Sequence, residues 1–216
     1  MVYDLSKSAS ILNHYVTQLR DVKVQQDRMR FRENIKRCGQ LLAYEISKTF
    51  NYDKCEVDTP LGVAPCKRLD KQVVIASIMR AGLPFHNGFL SILDEADNAF
   101  VSAYRKHHKD GTFEIDLQYL TCPNLDDSIL IIGDAMLATG ASIHKTIQSM
   151  GEYGKPHKIH IATVIASTEG IKYIQRFYPN VNIWTCAIDE ELTAKSYIVP
   201  GLGDAGDLSF GEKMQD

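Results

Sequence analysis

The 216-residue sequence lacks the features that mark secreted, membrane-spanning or nucleic-acid-binding proteins. No apolar run approaches the roughly 20 residues that cross a bilayer, and the N-terminus lacks the basic-then-apolar profile of a signal peptide. Basic and acidic residues number 24 and 27, so no net charge favours nucleic acid or an anionic membrane. Five scattered cysteines form no Cys-x-x-Cys pair, which argues against a disulfide framework or a zinc site. These absences predict a cytoplasmic protein without nucleic-acid or membrane partners.

Two common phosphate-binding signatures are also missing, namely the Gly-Lys-Ser/Thr of the P-loop and the Gly-x-Gly-x-x-Gly dinucleotide motif. The chain has ordinary globular proportions of hydrophobic and charged residues, 44% and 24%. Its length suits one α/β domain with a substantial core and is short for two. We therefore expect residues 1–216 to form a single domain.

The most informative stretch is 129–142, Ile-Leu-Ile-Ile-Gly-Asp-Ala-Met-Leu-Ala-Thr-Gly-Ala-Ser. Its aliphatic start (129–132) predicts a buried strand with Asp134 at the C-terminal end, and a helix is predicted from residue 143 to 150. Free backbone N–H groups and the positive helix end in the intervening turn suit a phosphate, and the acid suits ribose hydroxyls. The alternative is an ordinary strand–turn–helix unit in which the acid or Thr139 caps the helix.

A second buried strand, 73–78, leads into Met-Arg-Ala-Gly-Leu. Arg80 thereby stands at the carboxyl end of a strand, where open α/β sheets bind ligands, and could clamp a diphosphate. The alternative is a surface arginine at a helix end.

Strand 99–104 then enters a basic turn and returns through 113–117, which predicts a long hairpin. His107 and His108 are adjacent on an extended strand and face opposite sides, so a polar loop is favoured over a metal site.

The N-terminal region, about 1–50, is predicted to be helical, with a short helix followed by one from about 25 to 49. The second helix has an apolar stripe of Phe31, Ile35, Cys38, Leu42 and Ile46. Its basic residues are interpreted as a solvated face rather than an effector site: Arg28, Arg30, Arg32, Lys36 and Arg37. Alternation through 55–67 predicts a hairpin whose turn contains Pro60 and Gly62.

Further strands are predicted at 157–166 and 181–188, with a helix at 171–178 between them and Trp184 in the core. Strands and helices that alternate through 73–188 indicate an α/β fold with a mostly parallel sheet flanked by helices. The site would lie above the carboxyl ends of the strands, where Arg80, Arg105 and Asp134 converge.

Several stretches resemble the uracil phosphoribosyltransferases, a branch of the type I phosphoribosyltransferase family. They are Asp-Ala-Met-Leu-Ala-Thr-Gly (134–140), Arg-Ala-Gly-Leu (80–83) and Tyr-Ile-Val-Pro-Gly-Leu-Gly-Asp-Ala-Gly-Asp (197–207). The resemblance covers residues 28–211 and includes the N-terminal helix. It implies a type I phosphoribosyltransferase-like fold and a role in pyrimidine salvage. The implied reaction is transfer of the 5-phosphoribosyl group from phosphoribosyl diphosphate (PRPP) to uracil, giving UMP and diphosphate.

The resemblance also implies a set of site residues, with catalytic roles for Asp134, Arg80 and Arg105. PRPP is expected to contact Arg80, Arg105, Asp134, Ala135, Met136, Leu137, Ala138, Thr139, Gly140, Ala141, Ser142 and Asp204. Uracil is expected to contact Tyr197, Ile198, Gly203, Asp204 and Ala205, within a uracil-binding loop at 196–211. The hairpin at about 104–122 is expected to close over the diphosphate as a flap.

The expected cofactor is Mg²⁺, carried mainly by PRPP and reached by no side chain except Asp204. The expected partners are PRPP, uracil and further copies of the chain, in a homodimer or higher homo-oligomer. The family usually has proline at the position of Ala135, glycine at that of Ala141, and glycine and an acid at those of Pro84 and Asn87. Alanine at position 141 is expected to be tolerated if its φ angle is negative.

These departures keep an alternative function open, that of a catalytically weak phosphoribosyltransferase-like sensor that binds UMP or PRPP. No basic surface signal favours RNA as a partner of such a sensor. A third possibility, an enzyme that uses another base, is disfavoured by the C-terminal loop.

Overall fold

A computed structural model describes residues 1–107 and 113–214, without the side chains of 103–107 and 113–116. The strands are β1 (Val2–Asp4), β2 (Tyr52–Thr59), β3 (Gly62–Leu69), β4 (Val73–Met79), β5 (Asp97–His107), β6 (Phe113–Thr121), β7 (Ile129–Leu137), β8 (Lys158–Ser167), β9 (Asn182–Asp189), β10 (Glu191–Leu192) and β11 (Ile198–Val199). The helices are α1 (Ile11–Arg20), α2 (Arg28–Ser47), α3 (Gly82–Leu90), α4 (Ala141–Met150), α5 (Thr168–Phe177) and α6 (Ala205–Phe210), with short 3-10 turns at Leu5–Lys7 and Gly151–Tyr153.

Seven strands form the central sheet in the order β1-β9-β8-β7-β4-β5-β6. All neighbouring pairs are parallel except β5 and β6, which pair antiparallel. The predicted mostly parallel sheet is therefore confirmed. Its inner strands β4 and β8 are buried along almost their whole length because helices cover both faces of the sheet and leave neither face to solvent.

The two faces of the sheet form separate cores, and β7 contributes alternate residues to each. Ile129 and Ile131 pack with α1, α2 and α3, in a core that contains the buried stripe of α2. Leu130 and Ile132 pack on the opposite face with apolar residues of α4 and α5. This alternation follows from the two-residue repeat of a strand and puts helices on either side of one sheet.

Helices α2 and α3 pack unusually closely because they meet at two glycines, Gly39 and Gly88. A Cβ atom placed on Gly88 would lie 2.2 Å from the carbonyl oxygen of Lys36, and one on Gly39 would lie 2.5 Å from that of Phe85. Neither position has room for a side chain. The close contact holds α3 against the long N-terminal helix and so fixes the segment that follows β4.

Two parts of the N-terminal half differ from the sequence-based prediction or extend it. The first residues form a strand, β1, which the prediction of helices alone did not include, and Tyr3 pairs in register with Trp184 of β9. The two rings stack with their centroids 3.8 Å apart, and Trp184 is buried as predicted. The predicted hairpin is confirmed as β2 and β3, with Pro60 in the turn.

Predicted boundaries were wrong around the central motif. Strand β7 runs on through Asp134 to Leu137 because β8 continues to pair with it, Asp134 opposite Thr163 and Leu137 opposite Ala166. Helix α4 begins at Ala141, two residues earlier than predicted. The C-terminal stretch 196–211, predicted as a loop, contains the strand β11 and the helix α6. Among the described residues, no helix is long and apolar enough to cross a membrane.

Candidate active site

The carboxyl ends of β4 and β7 bring Arg80 and Asp134 to the same edge of the sheet. These strands are parallel neighbours, with Ser77 opposite Gly133. The turn after β4 packs against β7, since a Cβ atom on Gly82 would lie 3.5 Å from the carbonyl oxygen of Gly133. Asp134 is half-buried, and its carboxylate accepts a hydrogen bond of 3.3 Å from the backbone N–H of Met136.

The turn between β7 and α4 leaves the N-terminal end of α4 without a side-chain cap. Gly140 occupies the N-cap position with a φ of 83°, a left-handed conformation that favours glycine. The first helical hydrogen bond runs from the N–H of His144 to the carbonyl of Gly140, and the N–H of Ala141 donates to Thr139 Oγ1 at 3.4 Å. The N–H groups of the first turn thus face outward at the positive end of a helix, an arrangement that suits an anion.

Arg80, the residue after β4, reaches the C-terminal segment. Its Nη1 donates to the carbonyl oxygen of Gly211 at 2.9 Å, and its Nη2 pairs with the carboxylate of Asp207. The Met79–Arg80 peptide bond is cis. The guanidinium therefore joins the end of β4 to the segment around α6.

A buried histidine holds α3 in place behind Arg80. The Nδ2 of Asn98 donates to the carbonyl of Ala96, so its Oδ1 faces His86 and accepts from Nε2–H at 2.7 Å. Nδ1 of His86 is then the acceptor for the Ser77 hydroxyl, also at 2.7 Å. Burial lowers the pKa of His86, although the hydrogen bond with Asn98 opposes this effect. The neutral ring links α3 to β4 and β5.

The C-terminal segment has a backbone that depends on two glycines in left-handed conformations. Gly201 follows a cis Val199–Pro200 bond with a φ of 57°, and Gly203 has a φ of 93°. A Cβ atom on Gly201 would lie 2.1 Å from the carbonyl oxygen of Ile198. Leu202 is buried, whereas Gly203 is exposed. The backbone of Gly203 is therefore exposed to solvent, next to the buried residues Gly201 and Leu202.

Asp204 begins α6 and carries a stabilised negative charge. Its carboxylate accepts hydrogen bonds from the N–H of Asp207 at 2.9 Å and from Lys213 Nζ at 2.8 Å. Burial acts to raise the pKa of Asp204, but the hydrogen bonds from Lys213, Asp207 and Gly206 outweigh it and hold this pKa below its usual value. Asp204 is therefore ionised at neutral pH.

The two ends of the C-terminal segment are anchored on opposite sides of β7. Gly201 is hydrogen-bonded to Asp189, the last residue of β9, and Gly211 to Arg80, just after β4. In the sheet, β8 and β7 lie between β9 and β4. The segment 201–211 thus connects anchor points that flank the strand of Asp134 and the turn before α4.

A family model described as uracil phosphoribosyltransferase matches residues 6–212 of this chain. The chain belongs to the uracil phosphoribosyltransferase family. It is similar to a uracil phosphoribosyltransferase of Porphyromonas gingivalis, with 49% identity over 214 residues and 99% of each chain covered. A uracil phosphoribosyltransferase of Pyrococcus furiosus is 36% identical, covering 99% of this chain and 91% of its own. Among solved structures, the AQ2163 protein from Aquifex aeolicus has a TM-score of 0.89 and 31% identity, with both chains covered completely.

Most of the residues predicted for PRPP lie together on β7 and the turn after it. Side chains alternate between buried and half-buried along this stretch: Ala135, Leu137, Ala138 and Gly140 are buried, whereas Asp134, Met136, Thr139, Ala141 and Ser142 are half-buried. The half-buried members are the ones whose side chains have exposed surface for a ligand. Arg105 lies on β5 opposite Ile115, but its side chain is outside the described part of the structure. So are residues 108–112 at the tip of the predicted flap, including His108.

The residues predicted for uracil separate into an exposed and a buried set. Gly203 and Tyr197 are exposed and Asp204 is half-buried, while Ile198 and Ala205 are buried at 5% and 4% exposure. Gly203 and Asp204 line a cleft of about 310 Å³ together with residues of the α1–α2 connection and the start of α2. The side chain of Ile198 packs in the core, so its contact with a base would be made by the backbone.

Sequence reasoning missed the side chains that hold the C-terminal segment in place. Arg20 and Asp189 form a bidentate ion pair beside Gly201, and Arg32 Nη1 donates to the carbonyl of Ser209 at 2.8 Å. Arg28 and Arg30 are exposed as predicted, but assignment of Arg32 to a solvated face was wrong. No spacing pattern identifies these residues, because Arg20 and Asp189 are 169 positions apart.

The departures from the family pattern fit the structure. Ala141 is the first residue of α4 and has no positive φ, which is the condition under which alanine was expected to be tolerated at this position. Gly140, one residue earlier, supplies the left-handed conformation instead. Ala135 is fully buried. Pro84 lies in the first turn of α3, where a proline removes no helical hydrogen bond. Because the relatives described above are uracil phosphoribosyltransferases, the alternative function as a catalytically weak sensor is not favoured.

Proposed function

We propose that this protein transfers the 5-phosphoribosyl group from PRPP to uracil, giving UMP and diphosphate. The observation that supports this most directly is the placement of the C-terminal segment. Its anchors at Asp189 and Arg80 flank β7, so a base bound along the segment would lie near a sugar phosphate bound at Asp134 and the α4 turn. Family membership supplies the identity of the base and the donor.

The 5′-phosphate would bind at the start of α4. The N–H groups in the turn 138–142 and the hydroxyls of Thr139 and Ser142 provide hydrogen-bond donors, and the helix end provides positive potential. Asp134 would accept hydrogen bonds from the ribose hydroxyls. Arg80 and Arg105 would bind the diphosphate, which is the leaving group.

Uracil would be recognised by the backbone of Ile198, Gly203 and Ala205, with Tyr197 and Asp204 beside it. Uracil has N–H donors and carbonyl acceptors along one edge, which peptide groups can match directly. In the reaction, a bond forms between N1 of the base and C1 of the ribose as the bond from C1 to diphosphate breaks and the proton on N1 is lost. Catalysis by this chain consists of positioning both reactants and stabilising the charges that separate, without a side-chain nucleophile.

Mg²⁺ is the proposed cofactor, and its chemistry is to neutralise the diphosphate as that group leaves. In the part of the chain that the structure describes, no group of three or more His, Cys, Asp or Glu could hold a metal ion. We propose that the ion binds mainly through PRPP oxygens. Asp204, whose ionised carboxylate lies in the C-terminal segment, is the side chain proposed to reach it.

We also propose that the protein acts as a homodimer or higher homo-oligomer. At the turn of the hairpin β2–β3, Leu61 is fully exposed and the nearby Val63 is 62% exposed. Exposed apolar side chains mark contact surfaces when they are grouped in this way. Light scattering coupled to size-exclusion chromatography tests this directly, and a monomeric mass at micromolar concentration would contradict it.

The test of the proposed function is release of diphosphate from PRPP and Mg²⁺, measured with and without uracil in wild-type protein and in Asp134→Asn. We expect release only with uracil, and a fall of about 100-fold or more in kcat for the variant, because the amide cannot offset positive charge on the ribose. Asp94→Asn, at an exposed position between α3 and β5, is the matched control and should behave as wild type. Uracil-independent release, or equal activity in Asp134→Asn, would contradict the assignment.

A further inference from the structure

An ion pair at the end of β9 forms hydrogen bonds with both the N–H and the carbonyl group of Gly201. Arg20, the last residue of α1, donates from Nη1 and Nη2 to the two carboxylate oxygens of Asp189, both at 2.8 Å. Oδ2 of Asp189 also accepts from the N–H of Gly201 at 2.9 Å, and Nη1 of Arg20 donates to the Gly201 carbonyl at 3.0 Å. Four charge-assisted hydrogen bonds thus join α1, β9 and the C-terminal segment.

This pair is protected from water, which makes its geometry well defined. Asp189 is 6% exposed and Arg20 is 24% exposed. Charges in such an environment are screened little by solvent, and loss of one partner would leave the other buried and unpaired. The ion pair of Lys71 with Asp127 is of a different kind, since Asp127 is 73% exposed and the pair lies outside the C-terminal segment.

The peptide unit that follows is fixed in a similar way by Gln25. With its amide oriented so that the nitrogen faces two carbonyl oxygens, Gln25 donates to Leu202 at 2.9 Å and to Leu19 at 3.0 Å. Gln25 is 9% exposed. Two successive residues, Gly201 and Leu202, are therefore held by side chains from outside the segment, and the next residue, Gly203, is the exposed one.

We infer that Arg20 and Asp189 are positioning residues for the base, which set the direction of the Gly203 peptide groups before uracil binds. This inference rests on the proposed function and deepens it, because it assigns base affinity to side chains that do not touch the base. A backbone that reads hydrogen bonds must be held in the productive orientation in advance, or binding energy is spent on ordering it. Gly201, whose N–H and carbonyl are both held by the ion pair, is the point at which that orientation is set.

The test is steady-state kinetics of Asp189→Asn and Arg20→Lys with uracil and PRPP varied in turn. Asp189→Asn keeps the shape but removes the charge, and we expect the KM for uracil to rise about tenfold or more while the KM for PRPP and kcat stay within about threefold. Arg20→Lys keeps the charge but loses the bidentate contact of the guanidinium with Asp189, and we expect a smaller rise in the KM for uracil. Asp127→Asn, which breaks an ion pair elsewhere, should leave the uracil KM unchanged.

Hydrogen–deuterium exchange of residues 198–204 gives a second readout that does not depend on turnover. We expect faster exchange in Asp189→Asn than in wild type, with β4 and β7 unaffected, because a neutral amide oxygen accepts more weakly from the Gly201 N–H and the amide NH2 cannot accept from Arg20. A parallel rise in both KM values, together with faster exchange throughout the sheet, would indicate a general loss of stability and overturn the inference. If Asp189→Asn does not fold, Arg20→Lys is judged by the same criteria.

The two proposals fail in different ways. Wild-type protein that shows no uracil-dependent turnover would refute the proposed function, and the inference would fall with it. Wild-type turnover combined with an unchanged uracil KM in folded variants would refute the positioning role alone.

Discussion

The turn before α4, where we propose that the 5′-phosphate binds, depends on Gly140, and a pair of identical substitutions at the two ends of α4 tests this quantitatively. Gly140 has a φ of 83°, and a Cβ atom there would lie 2.9 Å from Tyr173 Cδ1 and 3.2 Å from the carbonyl oxygen of Gly170. A left-handed conformation costs a residue with a Cβ atom about 1–2 kcal/mol. The Tyr173 ring can move, but the Gly170 backbone is anchored through its N–H to Ser167. We therefore expect Gly140→Ala to lower the free energy of unfolding by about 2–3 kcal/mol.

Gly151→Ala is the matched control at the other end of the helix. Gly151 has a φ of −60°, and a Cβ atom there would meet nothing within 4 Å. In such a conformation alanine reduces the entropy of the unfolded chain, so we expect a gain of about 0.4–1 kcal/mol. The assay is urea unfolding of both variants with the slope m compared. Equal free energies of unfolding for the two variants would refute the reasoning, as would unaltered PRPP affinity in a destabilised Gly140→Ala.

Three further perturbations test the fold around the site. Burial lowers the pKa of His160 to about 3. In the unfolded chain this histidine has its ordinary pKa of about 6.5, so below that pH the unfolded state binds a proton that the folded state does not. The free energy of unfolding should therefore fall by about 1.4 kcal/mol per pH unit as the pH drops below about 6.5. Urea unfolding at pH 7 and 5 should show this slope, and a smaller one in His160→Leu. Tyr3→Ala should cost about 2 kcal/mol and shift the emission of Trp184 to the red, whereas unchanged emission would contradict the stack. Gly88→Ala should cost about 3 kcal/mol in thermal or urea unfolding because Lys36 O occupies the space, and a neutral effect would contradict the α2–α3 contact.

The sheet was predictable because its strands have local signatures. The runs at 73–78 and 129–132 are apolar except for Ser77, and the helices between strands show their own period, so a mostly parallel sheet follows from the alternation, although the order of its strands does not. Strand β1 was missed because three residues carry no usable period, and its position depends on β9, nearly the whole chain away. Likewise, β7 extends beyond its apolar run only because β8 pairs with the Asp134 segment.

The residues of the candidate site also differ in whether a local sequence pattern identifies them. Asp134, Gly140 and the 197–207 stretch were identifiable because each lies in a contiguous motif whose backbone has special demands. Arg20, Gln25 and Asp189 were not, since their roles arise only when α1 and β9 meet at Gly201. Similarly, the six residues of α6 read as a loop because Gly206 lies within them, and the cap by Asp204 becomes evident only from the hydrogen bond to Asp207. Residues that act through tertiary contact have no local pattern to find.

The most direct test of the central claim is to identify the product formed from PRPP, Mg²⁺ and a mixture of uracil, cytosine and hypoxanthine. Mass spectrometry and a diphosphate assay on the same sample give both its identity and its stoichiometry. The account predicts UMP as the nucleotide formed, with one diphosphate released for each UMP. A nucleotide of another base, or diphosphate released without UMP, would contradict it.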